Sequence, residues 1–104
     1  MRTIPFLLIL ALVCSCSTKE QKEHGLGLQL LSRVEKLAAS PQTVDRQDAA
    51  ALIEEGAYLF SDFPSLSSRV ERTLAALKSD RDRVVRGMSN AAEAALIQAR
   101  KSRE

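Results

Sequence analysis

The chain has few side chains suited to catalysis or metal binding. Among its 104 residues are two thiols, Cys14 and Cys16, and one imidazole, His24. Beyond Cys16 the sequence therefore offers no disulfide, no thiol nucleophile and no cysteine metal ligand. His24 stands beside Gly25 in a polar stretch without further histidines or cysteines, so it reads as a solvated side chain rather than a zinc ligand. Asp45 and Asp48 sit one turn apart, as do Asp80 and Arg83. A helix start and an i,i+3 pair account for both. Glu54-Glu55 reads as a solvated face. There is no glycine-rich phosphate loop, His-Glu zinc helix or nucleophile elbow. The expectation is a non-enzymatic protein with no catalytic residue, no metal and no cofactor.

The basic residues are the next candidates. Between Arg69 and Arg86 stand Arg69, Arg72, Lys78, Arg81, Arg83 and Arg86, against Glu71, Asp80 and Asp82. Arg69 and Arg72 are i,i+3 neighbours, as are Arg83 and Arg86. A run of this kind reads first as a solvated helix face. The alternative is a surface for an anionic partner formed by Arg69, Arg72, Arg83 and Arg86. That partner would be an acidic protein, lipid headgroups or cell-wall polymer. The formal charge of the whole chain is only +2, which gives no nucleic-acid signal.

The first residues, MRTIPFLLILALVCSC, give the strongest signal. Arg2 and the terminal amine form a positive n-region, and Phe6 to Val13 an unbroken apolar core. The run is shorter than the roughly 20 apolar residues that a membrane-spanning helix requires. An ordinary secretory signal, cut near Ser15 or Ser17, fits the same pattern. Val13-Cys14-Ser15-Cys16 resembles the lipobox of bacterial lipoproteins, in which a small residue precedes the cysteine that becomes the new N-terminus. The resemblance implies that residues 1–15 are removed and that Cys16 carries diacylglycerol on sulfur and an acyl chain, such as palmitate, on nitrogen. Cys14 follows bulky Val13 and is the poorer acceptor. Several acyl chains on one residue would hold the protein firmly, since each buried methylene contributes roughly 0.8 kcal/mol. With Ser17 after the lipidated cysteine, the resemblance implies the outer membrane.

Beyond the signal, Ala, Leu, Arg, Glu and Ser dominate and there is no tryptophan, a helical composition. Residues 16–27 read as a flexible lipidated tether, polar and then interrupted by Gly25 and Gly27. Residues 28–104 read as the helical domain. Leu30, Val34, Leu37 and Ala38 share one helical face that ends at Ser40-Pro41. A second helix starts at Thr43 or Asp45, either able to accept from the first free amides. It shows Ala49, Leu52, Ile53, Leu59 and Phe60 on one face, with Gly56 in the same stripe either for close helix approach or as a tolerated surface glycine. It ends at Ser61-Asp62-Phe63-Pro64.

The third helix starts at a capping box, Ser68-x-x-Glu71, or at Pro64-Ser65. From Val70 the spacing alternates four and three through Leu74, Leu77, Arg81, Val84, Met88, Ala91 and Ala95, a heptad seam flawed only by Arg81. The seam reads as continuous, with Ser79-Asp80 the place for any break. The expected fold is all-α: a small three-helix bundle with a long C-terminal helix. Its core is expected to contain Leu30, Val34, Leu37, Leu52, Ile53, Leu59, Phe60, Val70, Leu74, Leu77, Val84 and Met88. The seam residues Val84, Met88, Ala91 and Ala95 are the expected association surface, for a protein partner or a homo-oligomer.

Tyr58 to Pro64, followed by a new helix, resembles the end of a tetratricopeptide-type repeat. The lipobox with a heptad seam resembles short murein lipoproteins, although Lys101-Ser102-Arg103-Glu104 lacks their terminal lysine. The functional expectation is a membrane-anchored periplasmic interaction or assembly component. The alternatives are a surface-displayed lipoprotein with an external partner and a small envelope enzyme.

Overall fold

A computed structural model describes the backbone of residues 3–102 and the side chains of residues 19–102. Cys16 and the expected signal segment 1–15 lie outside the residues whose side chains are described. The chain is all-α and forms a small helical bundle. Among the described residues its elements are α1 (Thr3–Ala38), α2 (Thr43–Glu55), α3 (Ala57–Asp62), α4 (Pro64–Lys78) and α5 (Arg83–Lys101).

The helix boundaries follow local chemistry. Ser40-Pro41 ends α1 as expected. Neither Thr43 nor Asp45 caps α2, whose N-cap is Gln42 without a side-chain bond. Instead the Ser40 hydroxyl donates to Asp45 Oδ2 at 2.7 Å and accepts from the Gln42 amide at 3.1 Å, fixing the turn. Of the two starts open for α4, Pro64 is the one used, at the first helical turn where its missing N–H costs nothing. Ser68 is spent on a bond to the Pro64 carbonyl.

Gly56 forms a one-residue turn between α2 and α3 and is buried. A Cβ there would lie 2.7 Å from Leu30 Cδ2 and 3.0 Å from Phe60 Cε2. Gly56 is thus a close-approach position between α2 and α1.

Two expectations are corrected. The first concerns the tether. Residues 19–27 continue α1 as helix. Gly27 is buried, and a Cβ on it would come within 2.6 Å of Leu66 Cδ1, so this glycine admits a neighbouring chain rather than loosening its own. The propensity cost of a glycine, about 1 kcal/mol, is offset by tertiary packing.

The second concerns the long helix. It breaks at residues 79–82 into α4 and α5, and with the second expected helix divided at Gly56 into α2 and α3, five helices pack where three were expected. Arg81, the flaw in the heptad seam, lies in this connection and is exposed. Asp80 Oδ1 accepts from the Asp82 amide at 2.8 Å, and Asp82 Oδ2 caps the Val85 amide at 3.0 Å. Two aspartates thus supply a turn and a new N-cap, alternatives to the helix that their short side chains favour.

The restart shifts the register of α5 by one residue. Val85, Ser89, Ala92, Leu96 and Ala99 form its buried row, and Val84, expected in the core, is 53% exposed. Val34, Ile53, Phe60, Val70, Leu74 and Leu77 are buried as expected, and Leu30, Leu37, Leu52 and Met88 pack on the core from its margin. Leu59 is half-buried and lies against Gly27. Leu31, Leu66 and the small residues Ala50, Ala57 and Ser89 complete the interior.

Short connections at 39–42 and 79–82 lie at one end of the bundle, and the Phe63 turn lies at the other. The α2–α3 arm packs against both α1 and α5, as does α4, and the backbones of α1 and α5 do not approach one another closely among the described residues. Both α2 and α5 start at the end that holds the short connections, so these neighbours run parallel. Their contact is the most extensive in the bundle. The small buried residues of both helices allow it.

Candidate functional site

The most elaborate polar arrangement in the described chain centres on Arg46. It falls on the buried face of α2 with Ala49, Ala50 and Ile53 and is 7% exposed. Its Nε donates to Asp80 Oδ2 at 2.7 Å and its Nη2 to Asp80 Oδ1 at 3.4 Å. Nη1 donates to the carbonyls of Ser40 and Pro41 at 3.1 and 3.0 Å, and Nη2 also reaches Thr43 Oγ1 at 3.5 Å. One guanidinium therefore ties the α1–α2 connection to the α4–α5 connection. The hydrogen bond from Arg46, then that from the Asp82 amide, holds the Asp80 carboxyl below its ordinary range. All three guanidinium nitrogens of Arg46 and both carboxylate oxygens of Asp80 have partners within the chain, so the node ties the fold together.

Arg46 escaped the sequence reading. The signal was its spacing three, four and seven residues before Ala49, Ala50 and Ile53, which places it on the apolar face of its helix. A cation there needs a buried acid, and only the folded chain brings Asp80 to it.

The four arginines of the expected anionic-partner surface have unequal fates. Arg69 is committed to Glu35 of α1, with Nη2 to Oε1 at 2.6 Å and Nε to Oε2 at 3.2 Å. That bidentate pair raises the arginine's pKa further. Arg86 donates through Nη1 to the carbonyls of Asp80 and Arg81. Arg72 and Arg83 are exposed on different helices. Two of the four thus serve the fold before any partner.

The expected association residues form a flank of α5. Val84 and Ala91 are exposed, and Met88 and Ala95 are half-buried at the edge of the core. The opposite flank of α5 faces α4. There Lys78 Nζ meets Glu93 Oε2 at 2.6 Å, and Arg100 pairs with Glu71. Between these pairs lies an open groove of about 240 Å³ with Leu74, Leu96 and Ile97 along it. At the other end of the molecule His24 stacks edge-on against Phe63, with ring centroids 5.0 Å apart. The histidine is thus part of a helix–turn contact rather than a free linker side chain.

Among the described residues no three His, Cys, Asp or Glu side chains converge to hold a metal ion. None of the described helices is long and apolar enough to cross a membrane. Comparison with known protein families, curated proteins and solved structures returns no match to this chain.

Proposed function

We propose that this chain is a lipid-anchored protein of the bacterial envelope that works as a non-enzymatic interaction or assembly component. In this reading the lipobox-type sequence ahead of Cys16 supplies the anchor, acylation at Cys16 holds the chain to the outer membrane, and the bundle presents a docking face to the periplasm. The observation that carries the interaction role is the apolar surface left outside the core. Val44, Tyr58 and Val84 are 66%, 59% and 53% exposed. Single exposed apolar residues are ordinary on any surface, whereas grouped ones mark a docking site. These three belong to the two helical arms that pack most closely together.

The anchor and the docking face are tested separately. Replacing Cys16 with Ser should abolish incorporation of labelled palmitate and leave the precursor unprocessed, while Cys14→Ser should leave both intact. Equal labelling of the wild type and Cys16→Ser would refute the anchor. For the docking face, Val84→Asp should weaken the protein's cellular role without lowering its level or changing its membrane location. An unaltered role would refute that part of the reading.

A further inference from the structure

Helical geometry places three exposed apolar residues, Val44, Tyr58 and Val84, on one side of the molecule, whereas Leu26 and Leu28 lie on α1 and Ile97 lines the α4–α5 groove. At 100° per residue, Val44, Ala51 and Tyr58 recur every seven positions and share a face of the α2–α3 arm. Gly56 and Leu59 turn another flank of that arm toward α1, where they meet Leu30 and Gly27. The Val44–Tyr58 face therefore borders α5. On α5, Glu93 and Arg100 occupy the flank toward α4, so Val84, Met88 and Ala91 occupy the flank toward α2. The two rows thus lie side by side on parallel helices.

The charges beside these rows are opposite in sign. Asp48, Glu54 and Glu55 are the exposed charges of α2 together with half-buried Asp45, since Arg46 is buried. Arg83 and Lys101, about five turns apart on one open line of α5, are exposed, while its one acid, Glu93, is paired with Lys78 on the α4 flank that Arg86 and Arg100 share. A face with an acidic half and a basic half, apolar along its middle, complements itself.

The geometry points to a second copy of this chain as the occupant of this face, in a two-fold dimer whose axis runs along the helices. That axis places α2 of one copy over α5 of the other, acidic on basic, with Val44 of each copy level with Val84 of its partner. The other in-plane axis, perpendicular to the helices, sets α2 against α2 and α5 against α5, like charge on like. It also sends the two N-termini to opposite ends. The parallel axis keeps both N-termini at one end, so both Cys16 anchors reach the same membrane. This inference rests on the anchored interaction role proposed above.

The face is about 30 Å long and two helices wide, which gives roughly 600 Å² per copy, at the low end for a specific interface. Such a dimer is weak in dilute solution. Anchoring raises the effective concentration of the copies and favours it.

The test uses the full chain with photoreactive benzoylphenylalanine in place of Val84, an exposed position that leaves the core untouched. It is irradiated in the membranes of the cells that make it. The expected product has twice the chain's mass, and its crosslinked peptide comes from residues 43–58 of the second copy. Asp48→Lys with Glu55→Lys, both at exposed sites, should reduce that adduct about fivefold by placing like charges across the interface. An adduct joining position 84 to α1 or α4 of a second copy would overturn the arrangement. An adduct with a different protein alone would overturn the dimer and leave the interaction role standing. No adduct of any kind would overturn both.

Discussion

Replacing Arg46 with Ala should be among the most damaging single changes to the fold, although the residue touches no ligand. The substitution removes the two bonds to Asp80, the two to the Ser40 and Pro41 carbonyls and the long contact to Thr43. The carbonyls lie in an end connection that water can reach, so their loss costs little. The larger cost is Asp80, whose side chain is 10% exposed in the ion pair and would remain as a carboxylate without its cation.

Removing one partner of a buried pair costs about 3–5 kcal/mol, and this node's place at the end of the bundle sets the lower figure, about 3 kcal/mol. For a domain of this size, each kcal/mol lowers the melting temperature by roughly 4–8 °C, so the fall should be about 12–24 °C. Thermal unfolding of a domain beginning at Thr18, followed by circular dichroism, measures the fall, and urea titration of the same domain measures the free energy. Arg46→Lys keeps the charge but loses the fork, and should fall between wild type and Arg46→Ala.

The same node carries a pH signature. Asp80 has a depressed pKa in the fold relative to its ordinary 3.8. The unfolded chain therefore takes up the proton first as the solution is acidified. Its stabilising contribution is complete well above 3.8 and is lost as pH falls through that value toward the lower folded pKa. Asp80→Asn should lack this part of the acid-induced loss. If Arg46→Ala lies within about 0.5 kcal/mol of wild type, the range of an ordinary surface change, the clamp is not structural and the reasoning fails.

Further substitutions probe the packing and the register. Gly87→Ala should raise stability by about 1 kcal/mol in urea titrations, because a Cβ there meets nothing within 4 Å and only helix propensity changes. Gly56→Ala should lower stability by roughly 1–3 kcal/mol, since its Cβ would crowd Leu30, Phe60 and the Leu52 carbonyl. Val85→Asp should unfold the domain, whereas Val84→Asp should keep its helical circular dichroism. The opposite result would restore the unbroken heptad register. Asp82→Ala removes the α5 cap and should cost about 1 kcal/mol in the same titration, with faster amide exchange in the first turn of α5.

The helical class was legible because it depends on local properties: composition, apolar residues at helical spacing, and prolines that stop helices. The ends of α1 and α2–α3 were readable for the same reason, whereas the start of α4 was open between Ser68 and Pro64-Ser65. The lipobox-type pattern about Cys16 is likewise a local one, and the anchor proposed from it rests on sequence alone.

Register across the 79–82 break was not legible. A heptad pattern can persist through a turn by coincidence, and small residues such as Ser89, Ala92 and Ala99 signal a buried row far more weakly than Val84 and Met88 signal a seam. Arg81 at an apolar position and the helix-breaking pair Ser79-Asp80 were the local clues. The glycines were ambiguous in the same way: Gly27 and Gly56 look like helix breakers until Leu66 and Leu30 occupy the space that a Cβ would fill.

The sequence by itself determined an all-α chain, the helix ends at Ser40-Pro41 and before Pro64, and the charge carried along the chain. Tertiary structure decided which face of α5 is inside, which arginines are already engaged, and that Arg46 and Asp80, 34 residues apart, form one node. The physical reason is range. Helix propensity, capping and proline stops act within a turn or two of the chain, whereas burial and ion pairing depend on which distant segments the bundle brings together.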